Sequence, residues 1–174
     1  DNPNAFHNPN PDFKPFQIGD FIGSTMEGGS VNCSILHLAP HGNGTHTESV
    51  WHIAKEEFPI SQVFERWHFI CKLATILPTM NKHGQLHISR HDIANVLQDS
   101  NPEALIIRSS RKSEKTMWSG NNPPAFEPDG LALLAQKGVR HLLTDLPSVD
   151  PEMDGGALSA HRAFWQYPEN TRTK

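Results

Sequence analysis

The chain is poor in cysteine: Cys33 and Cys71 are the only two in 174 residues. Two thiols cannot build a disulfide framework and leave room for one bridge at most. Cys33 sits in an alternating apolar stretch and Cys71 in a hydrophobic run. Both are expected as small buried residues, in keeping with a reducing, cytoplasmic setting. Long apolar runs are also lacking, which excludes a membrane-spanning helix and argues against a membrane partner. Positive charge is scarce, with a formal net charge of −4 and no basic stripe, so nucleic acid is not an expected partner. The one basic cluster, Arg108-Ser-Ser-Arg111-Lys112-Ser-Glu114-Lys115, is interrupted by an acid and reads as a solvated loop. There is no initiator methionine, signal peptide or lipidation motif. Both ends of the chain are expected to be cut from a longer polypeptide.

Histidine, by contrast, is abundant, with 11 in the chain. Three of them fall in one short segment, His41-Gly-Asn-Gly-Thr-His46-Thr-Glu48-Ser-Val-Trp-His52. Neutral imidazole and carboxylate are the ordinary ligands of a catalytic divalent metal. His46 and Glu48 share parity, so an extended strand carries both on one face. His41 has the wrong parity, and a bulge or turn at Gly42-Asn43-Gly44 would correct it. This reading makes His41, His46 and Glu48 metal ligands and places His52 beside them as a proton carrier. The plainer alternatives are a polar loop that gathers histidines by chance and, for His52, a structural imidazole in a strand wall.

The length supports one domain, residues 1–174, with a real core. Residues 1–30 are rich in Pro, Gly, Asn and Phe and read as loop. Val31–Leu38 and Phe69–Leu77 are strand candidates. Ser89-Arg-His-Asp92 is a helix cap and first turn, followed by Ile93, Val96 and Leu97 at helical spacing. Ala104-Leu-Ile-Ile-Arg108 reads as a buried strand. Asn121-Asn-Pro-Pro124 is a break, and Pro128 opens a helix with Leu131, Leu133 and Leu134 that ends at Gly138. Val139–Thr144 is the next strand. Strand, helix, strand in this order implies a βα-type unit with part of the sheet parallel.

The ordered motifs resemble the metal-dependent cyclase family that includes bacterial kynurenine formamidase and isatin hydrolase. The resemblance rests on Pro40-His41-Gly-Asn-Gly-Thr-His46-Thr-Glu48-Ser-Val-Trp-His52, similar to the family's His-x-Gly-Thr-His-x-Asp-x-Pro-x-His. It continues at Asp145-Leu-Pro-Ser-Val-Asp150-Pro151, similar to Asp-Thr-Pro-Ser-x-Asp-Pro, and at Leu158-Ser-Ala-His161-Arg162, similar to Leu-x-x-His-His. The similarity covers most of residues 31–165. It implies an α/β domain with a β-barrel-like mixed sheet flanked by helices, commonly dimeric. It also implies metal binding by His41, His46 and Glu48, a catalytic role for His52, and a second ion on His161. The chain departs from the pattern in several places. One extra residue follows His41, Glu48 stands for Asp, Val50 for Pro and Arg162 for the second His. Glu169 lies early for the family's final Glu ligand.

These assignments predict metal-assisted hydrolysis of an amide, formamide, lactam or ester, with an N-formylated aromatic amine as leading substrate. Zinc is the default cofactor by ligand type, manganese the choice if more oxygens ligate, with one or two ions bound. The second hypothesis is a non-haem iron oxygenase using His46, Glu48 and His161, which expects an all-β jelly roll. The third is a non-catalytic member with a degenerate site. On spacing alone His161 is equally a helix-face histidine. Asp145, Ser148 and Asp150 read as turn and cap chemistry in a Pro-containing loop. Trp51, Trp67, Trp118, Phe126 and Trp165 read as core more than substrate wall.

Overall fold

The computed structural model describes residues 3–109 and 117–168. Glu169, and the basic cluster beyond Ser109, lie outside the described residues. Two compact units are present; their described residues are 3–46 with 117–119, and 47–109 with 120–168.

The first unit is built from short antiparallel pieces. β1 (Asp12–Pro15) is the first of them, and β2 (Gln17–Ile18) pairs with β3 (Phe21–Ile22) around a turn whose Gly19 has φ of 55°. β4 (Ser34–His37) runs antiparallel to β1, with Asp12 opposite His37. α1 (Pro40–Asn43) is a single helical turn. The segment before residue 30 was expected to be loop throughout. Its strands are two to four residues long, too short for a periodic pattern to show among the prolines and glycines.

The second unit carries the βα pattern. After the single turn α2 (Ile60–Val63) comes β5 (Cys71–Thr75). β6 (Thr79–Met80) and β7 (Leu86–Ile88) follow, then α3 (Arg90–Leu97), β8 (Ala104–Arg108) and β9 (Ala125–Phe126). The chain continues through α4 (Pro128–Gln136), β10 (His141–Thr144) and α5 (Ser159–Trp165). β10, β8 and β5 form an all-parallel sheet in that order, and β6, β7 and β9 a small mixed one. Both β5-α3-β8 and β8-α4-β10 are therefore parallel β-α-β units, as the order of periods predicted.

Local chemistry sets these helices. Ser89 accepts the Asp92 N–H while Asp92 accepts the Ser89 N–H, a reciprocal capping box that starts α3. Pro128 opens α4 at a position where no N–H is needed, and Gly138 (φ 79°) takes the left-handed conformation just past its end. The core lies here: Ile93 and Leu97 of α3, Leu131 and Leu134 of α4, and Leu105 and Ile107 of β8 are all essentially inaccessible. Each such side chain contributes about 1.5–3 kcal/mol on leaving water. α4 also packs against α5, so the helix that bears His161 rests on this core.

The fold is thus mixed α/β. Among the described residues the strands form four separate sheets of two or three strands. No helix among them is long and apolar enough to cross a membrane. Two expectations about burial fail. Cys33 and Cys71 are exposed free thiols: Cys33 precedes β4, whose four residues are all exposed, and Cys71 opens an edge strand on its outward side. Trp51 and Trp67 are likewise exposed, at 45% and 67%, because Trp51 lies on a 3₁₀ turn and Trp67 in an irregular segment, both outside the helix–sheet core, whereas Phe126 is buried.

Candidate metal centre

In the first unit, the local sequence turns His41 back toward His46. Pro40 pre-sets the backbone for the one-turn helix, and the Asn43 side-chain oxygen accepts the Ala39 N–H at 3.1 Å. Gly42 is needed at this turn for space: a Cβ there would lie 2.5 Å from Cβ of Asn8. Gly44 has open space and an extended backbone, so it is not the conformational hinge the Gly-x-Gly spacing suggested. Of the bulge or turn expected here, the structure has the turn, a helical one. The rings of His41 and His46 lie 4.7 Å apart between centroids, and both residues are exposed. Nδ1 of His46 is 2.9 Å from the Gly44 carbonyl oxygen. A carbonyl only accepts, so Nδ1 carries the proton and the lone pair sits on Nε2, the usual arrangement of a metal-binding imidazole.

In the second unit, Glu48 precedes Ser49, a buried residue that caps the 3₁₀ turn Val50–His52. The Ser49 hydroxyl donates to the Phe58 carbonyl at 2.5 Å and accepts the Trp51 N–H at 3.2 Å. His52 therefore sits on a turn and not in a strand wall. The turn folds His52 back so that its Nδ1 lies 3.5 Å from Oε1 of Glu48. The other carboxylate oxygen, Oε2, lies 3.4 Å from Nε2 of His161. Glu48 thus sits between two imidazoles whose rings are 5.2 Å apart. One ligand atom from each of Glu48, His52 and His161 lies within 4.8 Å of the others, close enough for one cation.

His161 is the buried member, its side chain 8% exposed against 22% for Glu48 and 29% for His52. Its ring is fixed from behind by Asp150, whose Oδ2 is 2.5 Å from Nδ1. The same carboxylate accepts the Ala160 N–H at 2.7 Å and the His161 N–H at 3.1 Å, which caps α5. The residue at the cap position itself, Leu158, has φ of 50°, an uncommon conformation for a branched side chain, and offers no capping group. The Trp165 ring lies 5.2 Å from the His161 ring, one helical turn on.

The electrostatics follow from these contacts. Burial disfavours the His161 cation, but hydrogen bonds and charge from Asp150 and Glu48 outweigh it and raise its pKa to about 9. Burial would raise Asp150, yet the His161 ring and the two backbone N–H groups hold it below the ordinary carboxylate value. Without a metal, then, this corner is an imidazolium held between two carboxylates.

The structure therefore brings together His41 with His46 in one unit, and Glu48, His52 and His161 in the other. Asp145 and Ser148 serve the loop, as expected of turn chemistry. Asp145 accepts the Ser109 N–H at 2.8 Å, and Ser148 accepts the Asp150 N–H at 3.1 Å. Asp150 does cap a helix, as turn and cap chemistry predicts, and it makes a second contact, to the His161 ring, that this chemistry does not predict. The only sequence signal was the pairing of two motifs eleven residues apart, beyond any helical or strand period. A cavity of about 290 Å³ borders Asp150 and is lined also by His87, Phe126 and Glu127. It includes none of the five clustered site residues.

Comparison with known proteins shows the family. A family model described as "Putative cyclase" matches residues 4–151. A kynurenine formamidase of Bacillus thuringiensis (strain Al Hakam) is 24% identical over 144 residues, which cover 83% of this chain. The chain spans 65% of that relative's length. With the match running through most of its residues, the chain belongs to the cyclase family.

Proposed function

We propose that this chain is the domain of a metal-dependent hydrolase that cleaves a non-peptide C–N bond in an amide, formamide or lactam, or an ester. An N-formylated aromatic amine is the leading substrate, since the relative above is a kynurenine formamidase. The observation that carries the reading is the His161 ring, with a buried carboxylate on Nδ1 and Glu48 on Nε2. Metal-binding imidazoles are typically held this way.

The donor chemistry fits a divalent ion. His46 and His161 each have Nδ1 committed to an oxygen, which leaves Nε2 as the ligating atom. His46 and Glu48 are two residues apart, a span of at most about 7 Å along the chain. His41, His46 and Glu48 are proposed to hold one ion, with His161 binding a second or hydrogen-bonding Glu48. Nitrogen and carboxylate donors favour zinc; manganese becomes competitive as oxygen donors increase. A bound ion supplies the acidification of water and the polarisation of a carbonyl oxygen. His52 takes the proton released by the attacking water and returns it to the departing nitrogen or oxygen. An imidazole can both accept and donate a proton, and the partial exposure of His52 suits that exchange. Glu48, with Oε1 3.5 Å from Nδ1 of His52, is placed to orient that ring.

The same reading extends to a barrel-like closure of the sheets, a homodimer and a cytoplasmic location, where two exposed thiols stay reduced. The oxygenase alternative expects a jelly roll, and the two parallel β-α-β units argue against it. The test is hydrolysis of an N-formyl arylamine, followed by formate release, before and after chelation. Activity lost on chelation and restored by zinc or manganese supports the proposal. Undiminished activity in metal-free protein would falsify it.

A further inference from the structure

We propose that Asp150 is a positioning residue that fixes which nitrogen of His161 faces the metal side. The inference rests on the hydrolase reading above, because it assigns His161 to the metal centre.

The geometry leaves Asp150 little freedom. Its carboxylate is 4% exposed, and both oxygens are engaged, Oδ1 by the Ala160 N–H and Oδ2 by the His161 N–H and ring. An ionised carboxylate can only accept, so the ring nitrogen 2.5 Å away must be the protonated one. Nε2 is thereby the atom turned toward Oε2 of Glu48, 3.4 Å away. Because Asp150 also holds the first N–H groups of α5, one carboxylate sets the start of the helix and the tautomer of the histidine on it. The Trp165 and His52 rings, each 5.2 Å from the His161 ring, restrict its rotation from other sides. A capping residue alone would need only the two backbone contacts; the ring contact is additional.

Asp150→Asn separates the two roles. With its oxygen on the Ala160 N–H, the amide keeps one of the two contacts to α5 and sets its NH2 against the ring, which demands an acceptor at Nδ1 and so moves the ring proton to Nε2. The first measurement needs no metal: nitrogen-15 spectra of His161 in metal-free protein at about pH 10, above the value of about 9 for the cation. We expect the Nδ1–H form in the parent protein and the Nε2–H form in Asp150→Asn. An Nε2–H form in the parent, or the same form in both, would overturn the inference without any metal binding being involved. The second is cobalt(II) affinity. Asp150→Asn should weaken it 10–100-fold, and should add nothing in a His161→Gln background. An equal loss in that background would mean that Asp150 acts through the helix alone, and the inference would fail. If the parent protein binds no cobalt, the hydrolase reading fails, while the spectra still decide the tautomer.

Discussion

The two parts of the proposed centre are made differently. His41 and His46 stand exposed on a one-turn helix and the extended residues after it, in the unit built from short antiparallel strands. His161 is buried on α5, against α4, which in turn packs on α3, and Asp150 is tied into it by three contacts. Exposed ligands can be removed with little cost to folding, because water replaces them. A buried imidazole–carboxylate pair cannot, since either partner left alone is an uncompensated buried charge. One region should therefore report on metal and catalysis with stability untouched, and the other on both together.

The largest effect should come from the exposed side. His46→Ala is expected to lower hydrolysis by three orders of magnitude or more, about 4 kcal/mol in the barrier. Unfolding in urea should move by no more than about 0.5 kcal/mol. A large loss of stability would break the contrast. His52→Ala should lower turnover by about 10²–10⁴-fold while metal content stays at the parent level. If metal is lost along with turnover, His52 is a ligand in the Glu48–His52–His161 group rather than a proton carrier. On the buried side, Asp150→Ala should cost about 3 kcal/mol of folding stability, read from the same urea titration, as a helix cap and a charge-assisted hydrogen bond disappear together.

The last predicted effect, spread over several pH units, is a pH dependence that only the buried side should show. In metal-free protein the His161 pKa is raised from 6.5 to about 9, so the folded state holds this proton more tightly than the unfolded chain. The resulting stabilisation is fully present below pH 6.5 and disappears as pH rises through about 9. The full difference is on the order of 3 kcal/mol. Urea midpoints should fall over this range in the parent protein and flatten in His161→Gln. His46→Ala should leave the slope as it is, and a slope abolished by that substitution would contradict the division.

Much of the second unit was legible in the sequence because its signals are local. Ser89 and Asp92 announce a capping box, Pro128 and Gly138 bracket a helix, and the apolar run at Ala104–Arg108 is the buried central strand. The short strands near the amino terminus were not legible, since two to four residues cannot display a period among prolines and glycines. The burial of the cysteines was not legible because Cys33 falls just before β4 and because an apolar run around Cys71 does not say which side of an edge strand is covered. At the site, the residue types His41, His46, Glu48, His52 and His161 could be read from motif spacing. The helical turn at Pro40 and the 3₁₀ turn at Val50 could not, and neither could the Asp150–His161 contact. Those depend on how loops return in space, and loop geometry has no sequence period.

Metal content measured by mass spectrometry on native protein and on the single and double substitutions of His46 and Glu48 is the most direct test. If both side chains hold the same ion, the parent carries at least one divalent ion per chain, His46→Ala and Glu48→Gln each lose it, and the double substitution loses no more than either alone. A parent protein that takes up no ion when zinc or manganese is supplied, or a His46→Ala variant that keeps its full complement, would contradict the account.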